Sequence, residues 1–295
     1  MTVEPRPGSA NVGRLLVIMT AIGWGLGWPM MKLVMLDWPP LFARGAAGVI
    51  AATGLASAAA MRGDLLLPPR ALLRRLVLAA STNVFAWMGF TALSLLWLTV
   101  SEAALVTFTM PIWATLLAWP VLGERPTTRS VVALCLGTAG LLLLLGTNLN
   151  GGTERLPGIG LALSAAILFA LGAVTSRQSI PLPPLVLTAW LIGLGSIAMV
   201  VVGLLTETPH LQSLTRTGAG ALAYMSLGPM ALCYLAWLGA LKRIPSTTAS
   251  TGLLLIPIVG SLSAALILGE SLGVREIAAF ALTLGGVALE LRRRT

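Results

Sequence analysis

Apolar runs of about twenty residues alternate with brief polar or proline-bearing breaks along the whole chain. A membrane-crossing helix needs about twenty mostly apolar residues. On that rule the pattern predicts ten helices, at about 14–35, 41–61, 73–96, 101–121, 128–146, 157–177, 183–205, 217–241, 247–268 and 273–291. Every connection is short, so no soluble domain remains to house a nucleotide or a catalytic centre. The third and fourth helices are the hardest to separate, because SLLWLTVSEAALV barely breaks. Glu102, flanked by Thr99 and Ser101, is costly at a bilayer centre and comfortable at an interface, which places a turn near Trp97–Val100.

Two stretches repeat. MPIWATLLAWPVLGER (110–125) and IPIVGSLSAALILGES (256–271) share seven of sixteen positions without a gap, including Pro111/Pro257 and the Leu-Gly-Glu ending. At the same offset of 146, Arg129 matches Arg275 and Gly140 matches Gly286. Near the start of each half, Trp24-Gly25-Leu26-Gly27 lies against Phe169-Ala170-Leu171-Gly172 at offset 145. The chain therefore reads as two five-helix repeats, 1–150 and 151–295. Because five is odd, the second copy enters the membrane upside down relative to the first. The expected fold is all-α and integral to the membrane, with ten spans as two inverted repeats around a central cavity.

Composition agrees with the pattern. The chain is 57% hydrophobic and 10% charged, against about 25% charged in an average soluble domain. The net charge of +9 reports topology rather than a nucleic-acid partner, since Lys and Arg gather on the cytoplasmic side. With the N-terminus inside, that side holds Arg6, Arg14, Arg62, Arg70, Arg74, Arg75, Arg125, Arg129, Arg177, Lys242, Arg243, Arg292, Arg293 and Arg294. The opposite side holds Lys32, Arg44, Arg155, Arg216 and Arg275, so fourteen charges face five and both termini are expected in the cytoplasm. Leu15–Met31 lacks a small-x-small cleavage site and reads as an uncleaved first helix. Cys135 and Cys233 lie in apolar runs without metal-like spacing, and neither a metal nor a cofactor is expected.

The five-plus-five arrangement, the Trp24-Gly25 start and the repeated proline followed by Leu-Gly-Glu resemble the drug/metabolite transporter superfamily, EamA type, over nearly the whole chain. The length and Trp-rich helices are similar to those of bacterial aromatic amino acid exporters. The resemblance implies a multi-pass carrier in the bacterial inner membrane, a small organic solute and a monomeric unit. The chain departs from the family where Phe169-Ala170 stands in place of a second Trp-Gly.

In an inverted repeat the site lies at the midplane between the halves, marked by helix breaks at corresponding positions. Pro111 and Pro257 are such a pair, and each frees a carbonyl one turn earlier, near Thr107 and Leu253. They serve as hinges or as static kinks. Trp24 and Trp28 share a face of helix one, Trp87 follows Asn83 by four residues on helix three, and Tyr234 and Trp237 share a face of helix eight. Rings with a few polar groups suit flat organic solutes through stacking and cation–π contact, but they also form interfacial belts. Trp38, Trp97 and Trp119 sit at belt depth. Asn83 must face protein or a watery cavity, binding either solute or a neighbouring helix. Thr107, Phe169 and Thr251 complete the candidate substrate-binding set.

Charges are scarce. Lys32 could draw a carboxylate, but snorkelling or pairing with Asp37 is the plainer reading. Glu102 reads as an interfacial cap rather than a proton relay, and Glu124 and Glu270 as caps of helices five and ten. Gly23 and Gly27 form a GxxxG step suited to close helix packing. One loop histidine, His210, and no buried acidic cluster leave a membrane enzyme without its machinery. Without a P-loop, ATP does not drive the protein directly. The expected function is secondary transport by alternating access of small metabolites, most of all amino acids, with aromatic ones favoured and export the expected direction. The alternative is export of flat organic cations.

Overall fold

A computed structural model describes residues 7–64, 67–123, 125, 127–145, 153–175, 180–245, 248–249 and 252–291. These are helical, and no strand occurs among them. The helices are α1 (Pro7–Val34), α2 (Pro40–Met61), α3 (Arg70–Ser94), α4 (Val100–Leu122), α5 (Thr128–Leu145), α6 (Leu156–Thr175), α7 (Pro184–Thr206), α8 (Arg216–Leu241), α9 (Leu255–Leu268) and α10 (Val274–Leu291). Among the described residues seven are long and apolar enough to cross a membrane: α1, α2, α3, α4, α6, α7 and α8. The chain is thus an all-helical membrane protein. Thr251 and Glu124 lie outside the described residues.

Local chemistry explains the breaks. The turn expected near Trp97–Val100 falls at residues 95–98, and Thr99 caps α4 in a reciprocal box with Glu102. The Thr99 hydroxyl accepts from the Glu102 N–H at 3.2 Å, and the Glu102 carboxylate accepts from the Thr99 N–H at 2.9 Å. The repeated Leu-Gly-Glu is explained by its glycine. Gly123 (φ 75°) and Gly269 (φ 70°) end α4 and α9 in the left-handed conformation, which a Cβ would strain.

Packing pairs the helices in matched sets. α2 lies along α7, and α5 along α10; α1 lies against α8 and α9, as α6 lies against α3 and α4. Glycines allow the close approach. A Cβ on Gly140 would stand 2.8 Å from the Ala279 carbonyl oxygen, and one on Gly286 would stand 2.7 Å from that of Ala133. As α5 advances from Ala133 to Gly140, its neighbour on α10 retreats from Gly286 to Ala279, so these helices run antiparallel. α2 and α7 are antiparallel too, with Gly45 near Val200 and Gly48 near Ser196. The GxxxG step does pack helices: Gly23 faces Cys233 and Gly27 faces Pro229, both on α8. Gly172 on α6 faces Thr82 and Asn83 on α3 in the corresponding way.

Gly45 meets backbone, which cannot rotate aside: Val200 N at 2.7 Å and Ser196 O at 2.8 Å. Gly45→Ala is therefore expected to lower the thermal midpoint of purified protein, at a cost of about 1–3 kcal/mol. Gly54→Ala on the same helix, which meets nothing within 4 Å, should leave the midpoint unchanged or slightly raised.

Candidate functional site: an aromatic cavity among the helices

A cavity of about 340 Å³ lies between α1, α2, α3, α4, α6, α8 and the segment leading into α9. Two aromatic groups line it. On one side Trp24 meets Tyr234 edge-on with centroids 5.4 Å apart, and Trp237 at 6.2 Å. On the other, Trp87 meets Phe169 at 4.6 Å and Phe108 at 6.3 Å. Trp28 also lines the cavity. The rings at 24, 28, 87, 169, 234 and 237 thus converge on one space although they come from four helices. Phe169 stands where the resemblance leads one to expect Trp, and the ring is still present.

The Trp24 indole N–H is already used, donating to the Pro229 carbonyl at 2.8 Å. That acceptor is available because α8 contains a π-helical stretch, Gly228–Leu232, just where proline interrupts its ladder. α3 carries a second such stretch, Ser81–Gly89, which holds Trp87. Thr91 lines the cavity but turns its hydroxyl back to the Trp87 carbonyl at 2.7 Å.

Three expected site residues lie elsewhere or are not described. Asn83 is not in the cavity wall; its side chain faces Gly172, so it belongs to the α3–α6 seam. Thr107 is fully buried and donates to the Ala103 carbonyl at 2.6 Å. Thr251 falls outside the described residues. The prolines also differ from expectation. Neither kinks a continuous helix: α4 stops at Thr107 and restarts at Met110, and α9 begins at Leu255 after a turn at 253–254. Pro111 and Pro257 sit in the first turn after each break, where a missing N–H costs least. The break residues Phe108 and Leu253 themselves line the cavity.

One wall residue escaped the sequence reading. Arg44, counted there among charges of the outer end, lines the cavity from α2. Its Nε is sealed from solvent, and no hydrogen bond or ion pair reaches its side chain among the described residues. The available signal was an arginine inside an apolar helix, four residues past Pro40. Among the described residues no group of His, Cys, Asp and Glu is arranged to hold a metal ion.

The end of the bundle near Arg44 is tied by carboxylates reaching across the chain. Glu207 accepts from the Leu41 and Phe42 N–H groups at 3.0 and 2.9 Å, capping α2. Asp37 accepts from the Thr215 N–H and hydroxyl at 2.8 and 2.7 Å, at the start of α8. Glu270 accepts from the Val100 N–H at 2.9 Å and pairs with Lys32 at 3.1 Å. Glu270 thus caps α4 rather than helix ten, and Lys32 pairs with it rather than with Asp37. Arg155 pairs with Glu102 at 2.5 Å, so Glu102 both caps α4 and binds α6's entry. Trp38 is buried and stacks edge-on with Phe42 at 5.1 Å, whereas Trp97 and Trp119 are exposed as belt residues are.

The EamA-like transporter family model matches residues 11–146 and again residues 156–292. The chain belongs to the EamA-like transporter family. It is 25% identical to the "Uncharacterized transporter YvbV" of Bacillus subtilis, over 93% of this chain and 90% of that protein. It is 26% identical to a "Probable amino-acid metabolite efflux pump" of Salmonella typhimurium, over 94% of this chain and 93% of that protein. A protein of known crystal structure, 20% identical, shares the fold with a TM-score of 0.65 over 96% of this chain and 98% of its own.

Glu270→Ala would strand the Val100 N–H and the Lys32 ammonium together. It is expected to cost about 1–3 kcal/mol, read as a clear drop in thermal midpoint. Glu270→Gln keeps an acceptor for Val100 and should fall between the alanine variant and the wild type.

Proposed function

We propose that this EamA-family transporter is a ten-span carrier of two inverted five-helix halves, 1–150 and 151–295. It exports amino-acid-type metabolites with flat or aromatic side chains across the bacterial inner membrane by alternating access, as a monomer with both termini in the cytoplasm. The observation that carries this reading is the cavity itself: seven rings from five helices around a space of about 340 Å³, at the scale of a small organic ligand. Stacking on such walls selects flat solutes. The name of the Salmonella relative, "Probable amino-acid metabolite efflux pump", agrees in substrate class and direction.

Three features support the inverted halves. The family model matches twice, the antiparallel pairs α2–α7 and α5–α10 join corresponding helices, and π-helical stretches begin at Ser81 and Gly228. Two copies inserted in the same orientation would bring corresponding helices together in parallel. The discontinuities in α4 and before α9 lie at the cavity, where broken helices in carriers bind and hinge. The five Lys and Arg expected on the far side are few against fourteen, in keeping with an inside N-terminus.

Arg44 bears on the alternative of organic cations. A second positive charge about 4 Å from a guanidinium is opposed by about 4 kcal/mol at an effective dielectric of 20. The cavity therefore favours solutes that carry negative charge somewhere, and the amino-acid reading is preferred over the cation reading.

Counterflow in liposomes holding the purified protein tests the site. Trp87→Ala and Trp24→Ala should each weaken solute affinity by about tenfold, one lost stacking contact, without loss of insertion. Asn83→Ala, in a helix seam, should leave affinity close to the wild type. Pro257→Ala is expected to slow exchange more than it weakens binding; a loss confined to affinity would assign the break a ligand role instead.

A further inference from the structure

The carboxylates on Arg44's side of the bundle are already engaged. Glu207 serves α2's own first N–H groups, Asp37 serves Thr215, Glu270 serves Val100 and Lys32, and Glu102 serves Thr99 and Arg155. None turns to Arg44. Arg44 is in neither the Lys32–Glu270 nor the Arg155–Glu102 ion pair. Its electrostatic neighbour is the phenol of Tyr234, which also lines the cavity and carries no charge at neutral pH. A guanidinium does not deprotonate to escape such a place, and an unpaired charge in an apolar wall is costly. It persists in a protein when something else supplies the opposite charge.

We propose that Arg44 is the anchor for a carboxylate on the transported solute, and that this carboxylate rather than an amino group is what the cavity requires. A planar fork of N–H donors matches a carboxylate with two parallel hydrogen bonds. The aromatic walls then take the body of the solute. Among the described residues no Asp or Glu lines the cavity, so a solute ammonium finds rings and no counter-charge there. The cavity is thus a receptor for aryl carboxylates: amino acids qualify by their carboxylate, and the deaminated acids qualify at least equally. The repeat sharpens this assignment. At the offsets of 145 and 146 found along the repeat the counterpart of Arg44 is Ala189 or Trp190, and both lie outside this cavity in a groove between α2 and α7. The cation is therefore supplied by one half alone, and the solute is held in one orientation.

This inference rests on the transport reading above, and three probes with one ring separate the two. 3-Phenylpropanoate carries the carboxylate alone, L-phenylalanine carries both groups, and phenethylamine carries the ammonium alone. Thermal shift of the purified protein and competition in counterflow are expected to rank phenylpropanoate at or above phenylalanine, and both at least about tenfold above phenethylamine, the factor for one charge-assisted bond. Arg44→Gln should remove that ranking by weakening the two acids, while Arg44→Lys should keep its sign with weaker affinity. The wild-type ranking needs no variant to fold. Equal response to all three probes would overturn the anchor and leave the transporter reading intact. A preference for phenethylamine would overturn the anchor and restore the cation alternative. Silence from all three would overturn the aromatic-solute reading and the anchor with it.

Discussion

A helix end near hydrocarbon carries N–H groups that water cannot freely satisfy, and each must find an acceptor within the protein. In this chain the acceptors come from far away in sequence. Asp37 closes the start of α8, Glu207 closes α2, and Glu270 closes α4 while neutralising Lys32. Each of these bonds joins the first half of the chain to the second. The same few carboxylates therefore finish the helices and fix the halves against each other. That double duty also explains why no acid lines the cavity among the described residues: the carboxylates described on this side are committed at the helix ends.

A cavity in such a bundle needs helices held apart in one region and pressed together in others. Small residues do the pressing. Gly45 and Gly48 seat α2 on α7, Gly23 and Gly27 seat α1 on α8, and Gly140 with Gly286 join α5 to α10. With those seams closed, the large rings at Trp24, Trp87, Phe169 and Tyr234 have room only in the centre, where they prop the walls and present flat faces. The π-helical stretches serve the same end, since α3 carries Trp87 within one and α8 offers the Pro229 carbonyl to Trp24 from the other.

Much of this was legible in the sequence because it depends on local pattern. Apolar runs gave the helices, Glu102 beside Thr99 gave the turn before α4, and four-residue spacing put Trp24 and Trp28 on one face. The rings converge because large side chains deep in a span have few other places to go. The pattern reached its end where a partner is remote. Asn83 shares a face with Trp87 by spacing, but Gly172 on another helix leaves a notch that the amide fills. Glu270 looked like the cap of the helix after it, whereas the nearest unsatisfied N–H belonged to Val100, 170 residues earlier. Spacing along one helix says which side a residue faces, not which helix stands there.

Arg44 was overlooked for a related reason: counting positive charges by side of the membrane treats each as an orientation marker and ignores depth. The physical difference lies in what meets the guanidinium. Arg155, on the same side, has Glu102 at 2.5 Å, and a marker charge with a partner asks nothing of a solute. Arg44 has no such partner among the described residues and opens onto aromatic walls. Burying a cation unpaired costs stability that evolution could have recovered with one nearby carboxylate, yet the nearby ones are spent elsewhere. The deficit is then met only when an anion enters, which makes the charge that destabilises the empty cavity the same charge that selects its occupant.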